Sequence, residues 1–227
     1  MAKVFINAGH GGKDSGAVKY LVEKDINLKM AKACRDYLVA NGVEVLMGRD
    51  ADVDRTSTQI TNMCNNYKPD CAVDIHNNAG GGKGFEVYHS INSSSKGISL
   101  AKAIEQEVIK IGQNSRGLKS RRGDNGDYYY FIRQISCPSI ICEGVFVDNE
   151  QYAILADTDE KCKKFGEAYA KGILNYLGIS YNNNPVPSSN GDTLHCVQVG
   201  AFKQKENAEK LAKELYEKGY ETYITTK

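Results

Sequence analysis

No apolar run in this chain approaches the roughly 20 residues that a membrane-spanning helix requires, so no membrane partner is expected. The N-terminal MAKVFINAGH has too short an apolar stretch for a signal peptide, which predicts synthesis in the cytoplasm without an obvious export address. An excess of charge of either sign is also missing. A net +1 over 227 residues offers no argument for nucleic acid or an acidic surface as a partner. The seven cysteines (34, 64, 71, 137, 142, 162 and 196) contain no C-x-x-C pair and are odd in number. That spacing argues against a cysteine-zinc cluster and against a disulfide framework, and leaves buried reduced thiols as the expectation. Histidine is scarce, with four in the chain. Two of the four, His10 and His76, close short apolar runs.

What is present fits a globular chain: 41% apolar and 25% charged residues, long enough for one well-buried domain and a small appendage. KVFIN, VEVLMG, CAVDIH, FEVYHS and PSIICEGVFV read as strands. Helical spacing marks residues 21–40, about 54–67, 98–111 and about 158–177, and 112–127 reads as a basic, Gly/Asn-rich loop. Continuous apolar strands alternating with helices predict an α/β fold: a mostly parallel twisted sheet with helices on both faces, plus a small C-terminal βαβ segment. The boundaries expected are a catalytic domain over 1–179, a polar linker rich in Asn, Ser, Gly and Pro over 180–192, and a tail over 193–227.

In such sheets ligands bind beyond the carboxyl ends of the strands, and His10, His76 and Glu143 all stand at or just past those ends. Glu23, at the start of the first helix, could reach back to the Gly-rich loop that carries His10. Two imidazoles and two carboxylates have the composition of a hydrolytic metal site, with three ligands for one zinc ion and a fourth group for the water. The spacing matches no short zinc signature, and hydrogen-bonded histidines at strand ends are the competing reading. Glu143 interrupts an apolar run, where a carboxylate is costly unless paired or functional. Cys142, beside it, faces the other side of the sheet and is given no catalytic role. His89 and His195 read as ordinary strand-end and tail side chains. The stretch RGLKSRRGD (116–124) reads as a solvated loop, with steering of an acidic polymer as a minor alternative. Tyr128–Tyr130 and Phe131 fit core packing as well as contact with a substrate.

The set HGGKDSGA, EKDINL, DIHNNA followed by GFEVYH, and CEGVFVDN, over roughly residues 2–178, closely resembles the zinc-dependent N-acetylmuramoyl-L-alanine amidases of the amidase 3 type. The resemblance implies hydrolysis of the amide between N-acetylmuramic acid and the L-alanine of the peptidoglycan stem peptide. It implies that His10, Glu23 and His76 bind Zn2+, and that Glu143 takes a proton from the attacking water and delivers it to the leaving amine. Asn78 matches an asparagine usual in the family motif, read as shaping the site, whereas Asn7-Ala8 departs from the Asp-Pro or similar pair often found before GHGG. Regulated members that act in cell division carry an inhibitory helix between the second histidine and the last glutamate. The interval here holds one amphipathic helix and a loop, which predicts a site open without an activator.

Residues after about 193 resemble one βαβ half of a SPOR domain, a module that binds peptidoglycan glycan. Two such halves from different chains could complete each other across a twofold axis, so a homodimer through the tail is an expectation. The combined reading is a phage or prophage endolysin that acts on the wall after release. The alternatives are a bacterial autolysin, a zinc peptidase acting within the stem peptide, and a non-catalytic wall-binding protein.

Overall fold

The computed structural model describes residues 1–92, 95–181 and 199–218, together with 220, 222 and 224. The strands are β1 (Lys3–Ala8), β2 (Glu44–Met47), β3 (Cys71–Asn78), β4 (Phe85–Tyr88), β5 (Ser115–Lys119), β6 (Arg122–Gly123), β7 (Gly126–Asp127) and β8 (Ser139–Phe146). The helices are α1 (Glu23–Ala40), α2 (Ser57–Tyr67), α3 (Ser95–Lys110), α4 (Tyr130–Gln134), α5 (Glu150–Ala153), α6 (Asp159–Leu177) and α7 (Lys205–Glu217). Six strands form one sheet in the order β2-β1-β3-β8-β4-β5. All neighbours run parallel except β4 against β8. The expected mostly parallel α/β sheet is therefore present.

Alternation along the strands divides the core into two layers. Val4 and Ile6 of β1, Val73 and Ile75 of β3, and Ile140 and Cys142 of β8 pack with the apolar faces of α1, α3 and α6. Phe5, Ala72 and Ile141 point the other way and meet Cys64 of α2 with Phe131 and Ile132 of α4. The second layer is the smaller. Beyond Phe5, Ala72 and Ile141 the same face continues along β1, β3 and β8 with Asn7, Asp74, His76 and Glu143, all polar. The sheet thus carries its chemistry on the face that its short helices leave partly uncovered.

Two sequence expectations change. The stretch 112–127, read as a loop, contains edge strand β5 and the β6–β7 hairpin. The stretch 116–124 is also less solvated than expected, because Arg116 and Lys119 of β5 form ion pairs with buried Glu86 of β4. Charged side chains on an edge strand guard its unpaired backbone, and they hide the strand from an apolar-pattern reading. The chain divides into two compact units, Met1–Tyr181 and Asn182–Lys227. In the second unit α7 is present, and the described residues 199–204 before it carry no regular structure. Linker positions 182–192, His195, Cys196 and much of the two expected tail strands lie outside the described residues. Among the described residues, no helix is long and apolar enough to cross a membrane.

Candidate metal centre

The first site loop leaves β1 at Ala8, and its shape depends on glycine. A Cβ at Gly9 would lie 2.2 Å from the imidazole of His76, so only glycine lets that ring close over the loop. Gly16 has a φ of +62°, and a Cβ there would lie 2.5 Å from Glu23 Oε2 and 2.6 Å from the His10 ring. His10 itself adopts a left-handed φ of 61°, a conformation that persists in a non-glycine residue only where its surroundings enforce it. The surroundings include Arg49, 2% exposed, whose guanidinium donates to the carbonyls of Ala8 (2.8 Å), Gly9 (3.0 Å), Lys24 (2.7 Å) and Ala51 (3.2 Å). Asn27 Nδ2 adds a bond to Gly9 O at 3.1 Å.

Glu23 is the first residue of α1 and 4% exposed, in the turn where a carboxylate is favoured by the helix dipole. Its Oε2 accepts from Ala17 N at 2.9 Å and its Oε1 from Asn77 N at 3.2 Å. The same Oε1 lies 3.2 Å from His10 Nε2 and 3.1 Å from His76 Nδ1. The two imidazoles meet edge to face with centroids 4.8 Å apart. One ligand atom from each of the three residues lies within 4.8 Å of the other two.

The donor set fits a small divalent cation. Tetrahedral zinc with bonds of about 2.0–2.1 Å places its ligand atoms about 3.3 Å apart, close to the two nitrogen–oxygen separations seen here. The electrostatics agree. Burial works to raise the Glu23 carboxyl, but hydrogen bonds from His10 and His76 overcome it and hold the group well below the usual range. Burial works to lower both histidines, yet His10 is raised by Glu23 and Asp14, and His76 is raised well above its usual value by Asp74 and Glu23. An ionised carboxylate and two imidazoles of raised proton affinity around one point form a site where a metal ion can compete with protons.

Glu143 pairs in register with His76 across β3 and β8 and with Glu86 across β8 and β4, so the three stand in one row on one face. Burial pushes its carboxyl up to about 7; His76 pulls the other way, and Glu23, Asp74 and Glu86 add to the rise. Glu86 stays ionised through Lys119, at 2.8 Å, and Arg116. A cleft of about 580 Å³ opens over this face, with His10, His76, Asp74, Lys13, Arg55 and Tyr129 among its lining.

The four residues singled out from sequence thus converge. Others in the site were not foreseen. Asn77, 3% exposed, carries much of the support: its Nδ2 donates to Asn27 Oδ1 at 2.8 Å, and its Oδ1 accepts from Val145 N at 2.8 Å. Asn78, read as shaping the site, accepts from Ala79 N at 2.8 Å and so shapes the turn after β3. Arg49 lies in no motif, and Asp14, Asp74 and Glu86 stand inside the quoted motifs without having been given a role, although the parity of Asp74 with His76 on β3 was readable. Tyr129 lines the cleft and meets Tyr88 ring to ring at a tilt, with centroids 4.8 Å apart, while Phe131 belongs chiefly to the core. His89 bonds Ser90 O at 2.9 Å, as a strand-end side chain would.

Comparison with known proteins sets this geometry in a lineage. Residues 4–175 match the family described as N-acetylmuramoyl-L-alanine amidase, and residues 191–227 match the SPOR domain. The chain is 34% identical over 230 residues to the N-acetylmuramoyl-L-alanine amidase CwlM of Bacillus licheniformis, covering 99% of this chain and 85% of that protein. It is 34% identical over 185 residues to the endolysin of Bacillus phage SPP1, covering 78% of this chain and 66% of the endolysin. Among solved structures it is similar to the catalytic domain of CwlV, an N-acetylmuramoyl-L-alanine amidase from Bacillus (Paenibacillus) polymyxa var. colistinus. That likeness has a TM-score of 0.71 at 28% identity and covers 79% of this chain and 100% of the other. The chain belongs to the N-acetylmuramoyl-L-alanine amidase family, enzymes that hydrolyse peptidoglycan at the amide joining muramic acid to its peptide.

Proposed function

We propose that His10, Glu23 and His76 hold one zinc ion for this reaction and that Glu143 moves the protons. The observation that carries the reading is the single oxygen of Glu23 lying 3.2 and 3.1 Å from one nitrogen of each imidazole. Zinc bound there supplies Lewis-acid polarisation of the scissile carbonyl and makes water a nucleophile near neutral pH. Glu143, raised to about 7 and in register with His76, is suited to accept a proton from the attacking water and return it to the leaving amine nitrogen. The cleft beside His10 and His76 seats the substrate, and Tyr129 and Tyr130 form part of its wall. The partly exposed histidine side chains, 24% and 22%, support a site that needs no activator to open.

The test is mass spectrometry of digested peptidoglycan. Zinc-loaded enzyme should release stem peptides with free N-terminal L-alanine and leave the glycan strands intact. Glu143→Gln should lower the rate by about 10²–10⁴-fold with zinc content unchanged. Cuts within the stem peptide, or full activity in the variant, would overturn the assignment.

The division into a catalytic domain (1–179), a linker (180–192) and a tail (193–227) is part of the same proposal, supported by the two compact units and the SPOR match. The likeness to a phage endolysin supports release at lysis as the setting in which the enzyme meets the wall. The exposed apolar residues Val199, Phe202, Tyr216 and Tyr220 support association of two tails. Light scattering should then give a dimer at high concentration; a monomer throughout would count against it.

A further inference from the structure

Each histidine of the site has two ring nitrogens, and Glu23 accounts for one on each. Those facing Glu23 Oε1 are Nε2 of His10 and Nδ1 of His76. The nitrogens left over also meet carboxylates: His10 Nδ1 lies 2.8 Å from Asp14 Oδ2, and His76 Nε2 lies 3.5 Å from Asp74 Oδ2. The two rings are therefore held in opposite senses, one presenting Nε2 and the other Nδ1 to the same point.

We propose that Asp14 and Asp74 are positioning residues that fix these opposite tautomers from behind, and that Asp74, braced by Asn7, dominates. This rests on the reading of His10, Glu23 and His76 as metal ligands. An imidazole that donates its outer N–H to a carboxylate keeps its lone pair on the inner nitrogen, aimed at the metal, and is the more basic ligand for it. The carboxylates differ in setting. The Asp14 side chain is 65% exposed on the Gly-rich loop, where water screens it. That of Asp74 is 8% exposed on β3, two residues before His76 and so on the same face. A buried carboxylate needs partners. Asp74 finds one in Asn7, its register partner on β1, whose Nδ2 donates to Asp74 Oδ1 at 2.7 Å. Asn7 Oδ1 is buried without a partner among the described residues, so that amide serves the carboxylate alone. The chain keeps an acceptor unsatisfied and a third carboxylate beside Glu23 and Glu143, an arrangement that a dication and two oriented imidazoles make sensible.

The experiment exchanges the pair. The double variant Asn7→Asp/Asp74→Asn retains one amide and one carboxylate of the same size across β1 and β3, but sets the amide against His76. The full chain and this variant are titrated with zinc at neutral pH against a competing chromophoric chelator. Unfolding of each metal-free protein in urea is followed in parallel. The expected result is zinc binding weakened about 10–100-fold in the exchanged variant, a smaller loss in Asp14→Asn, and an unchanged urea midpoint for the exchanged chain. Wild-type affinity in the exchanged variant would overturn the inference and leave the metal site standing, as would weakened binding accompanied by loss of an oxygen from the zinc coordination shell, which makes Asp74 a direct ligand. Failure of the wild-type chain to bind zinc would remove both the inference and the reading beneath it.

Discussion

One carboxylate oxygen of Glu23 between two imidazoles has a thermodynamic consequence. Without metal, protons hold this cluster together: Glu23 is held ionised while His10 and His76 are raised, His76 well above 6.5. A histidine raised in this way holds its proton to higher pH than a free imidazole does, and metal binding must displace it. Zinc affinity should therefore fall as pH drops, with log K changing by one to two per pH unit below the raised histidine values, and none of that change arising from Glu23. Calorimetry in buffers of different ionisation enthalpy should show protons released on zinc binding, in rising number as pH falls. Binding that releases none would contradict the assignment of the two histidines. At this scale the proposed ligands could be singled out in sequence because histidine is rare here and each imidazole ends an apolar run. Asp14 and Asp74 were not, since an aspartate near a histidine has meaning only once the ring's two nitrogens are placed.

The elements explain why four residues spread over 134 positions converge. Parallel strands bring their carboxyl ends to one edge, and strand parity puts Asn7, Asp74, His76 and Glu143 on the face where α2 and α4 give incomplete cover. α2 begins only at Ser57, where Thr56 as N-cap and Gln59 form a capping box, three residues later than the periodicity predicts. β5 escaped notice because its Arg116 and Lys119 face a buried carboxylate, a pairing that no local pattern reveals. Arg49 escaped for a related reason, since its partners are backbone carbonyls from three separate segments. Arg49→Met should strip those carbonyls of a shared donor, lower stability by roughly 2–4 kcal/mol and loosen the loop carrying His10. Urea unfolding of the metal-free protein would record the loss. An unchanged midpoint would show that the loop holds its shape without the guanidinium.

Across the whole molecule the sheet, its two layers of helices and the reaction were legible from pattern and resemblance, because continuous apolar strands and motif order survive without coordinates. The uneven cover of the two faces was not, for it depends on how far short helices extend over strands that are themselves longer. That unevenness leaves room for both a metal and a substrate on a sheet otherwise buried. The central claim is that the metal is zinc held by two imidazoles and a carboxylate, with no role for the chain's cysteines. X-ray absorption at the zinc edge of the purified, zinc-loaded full chain tests it most directly. The account predicts a shell of nitrogen and oxygen at about 2.0–2.1 Å with imidazole back-scattering from two rings. A sulfur shell at about 2.3 Å, or a shell without imidazole, would contradict it.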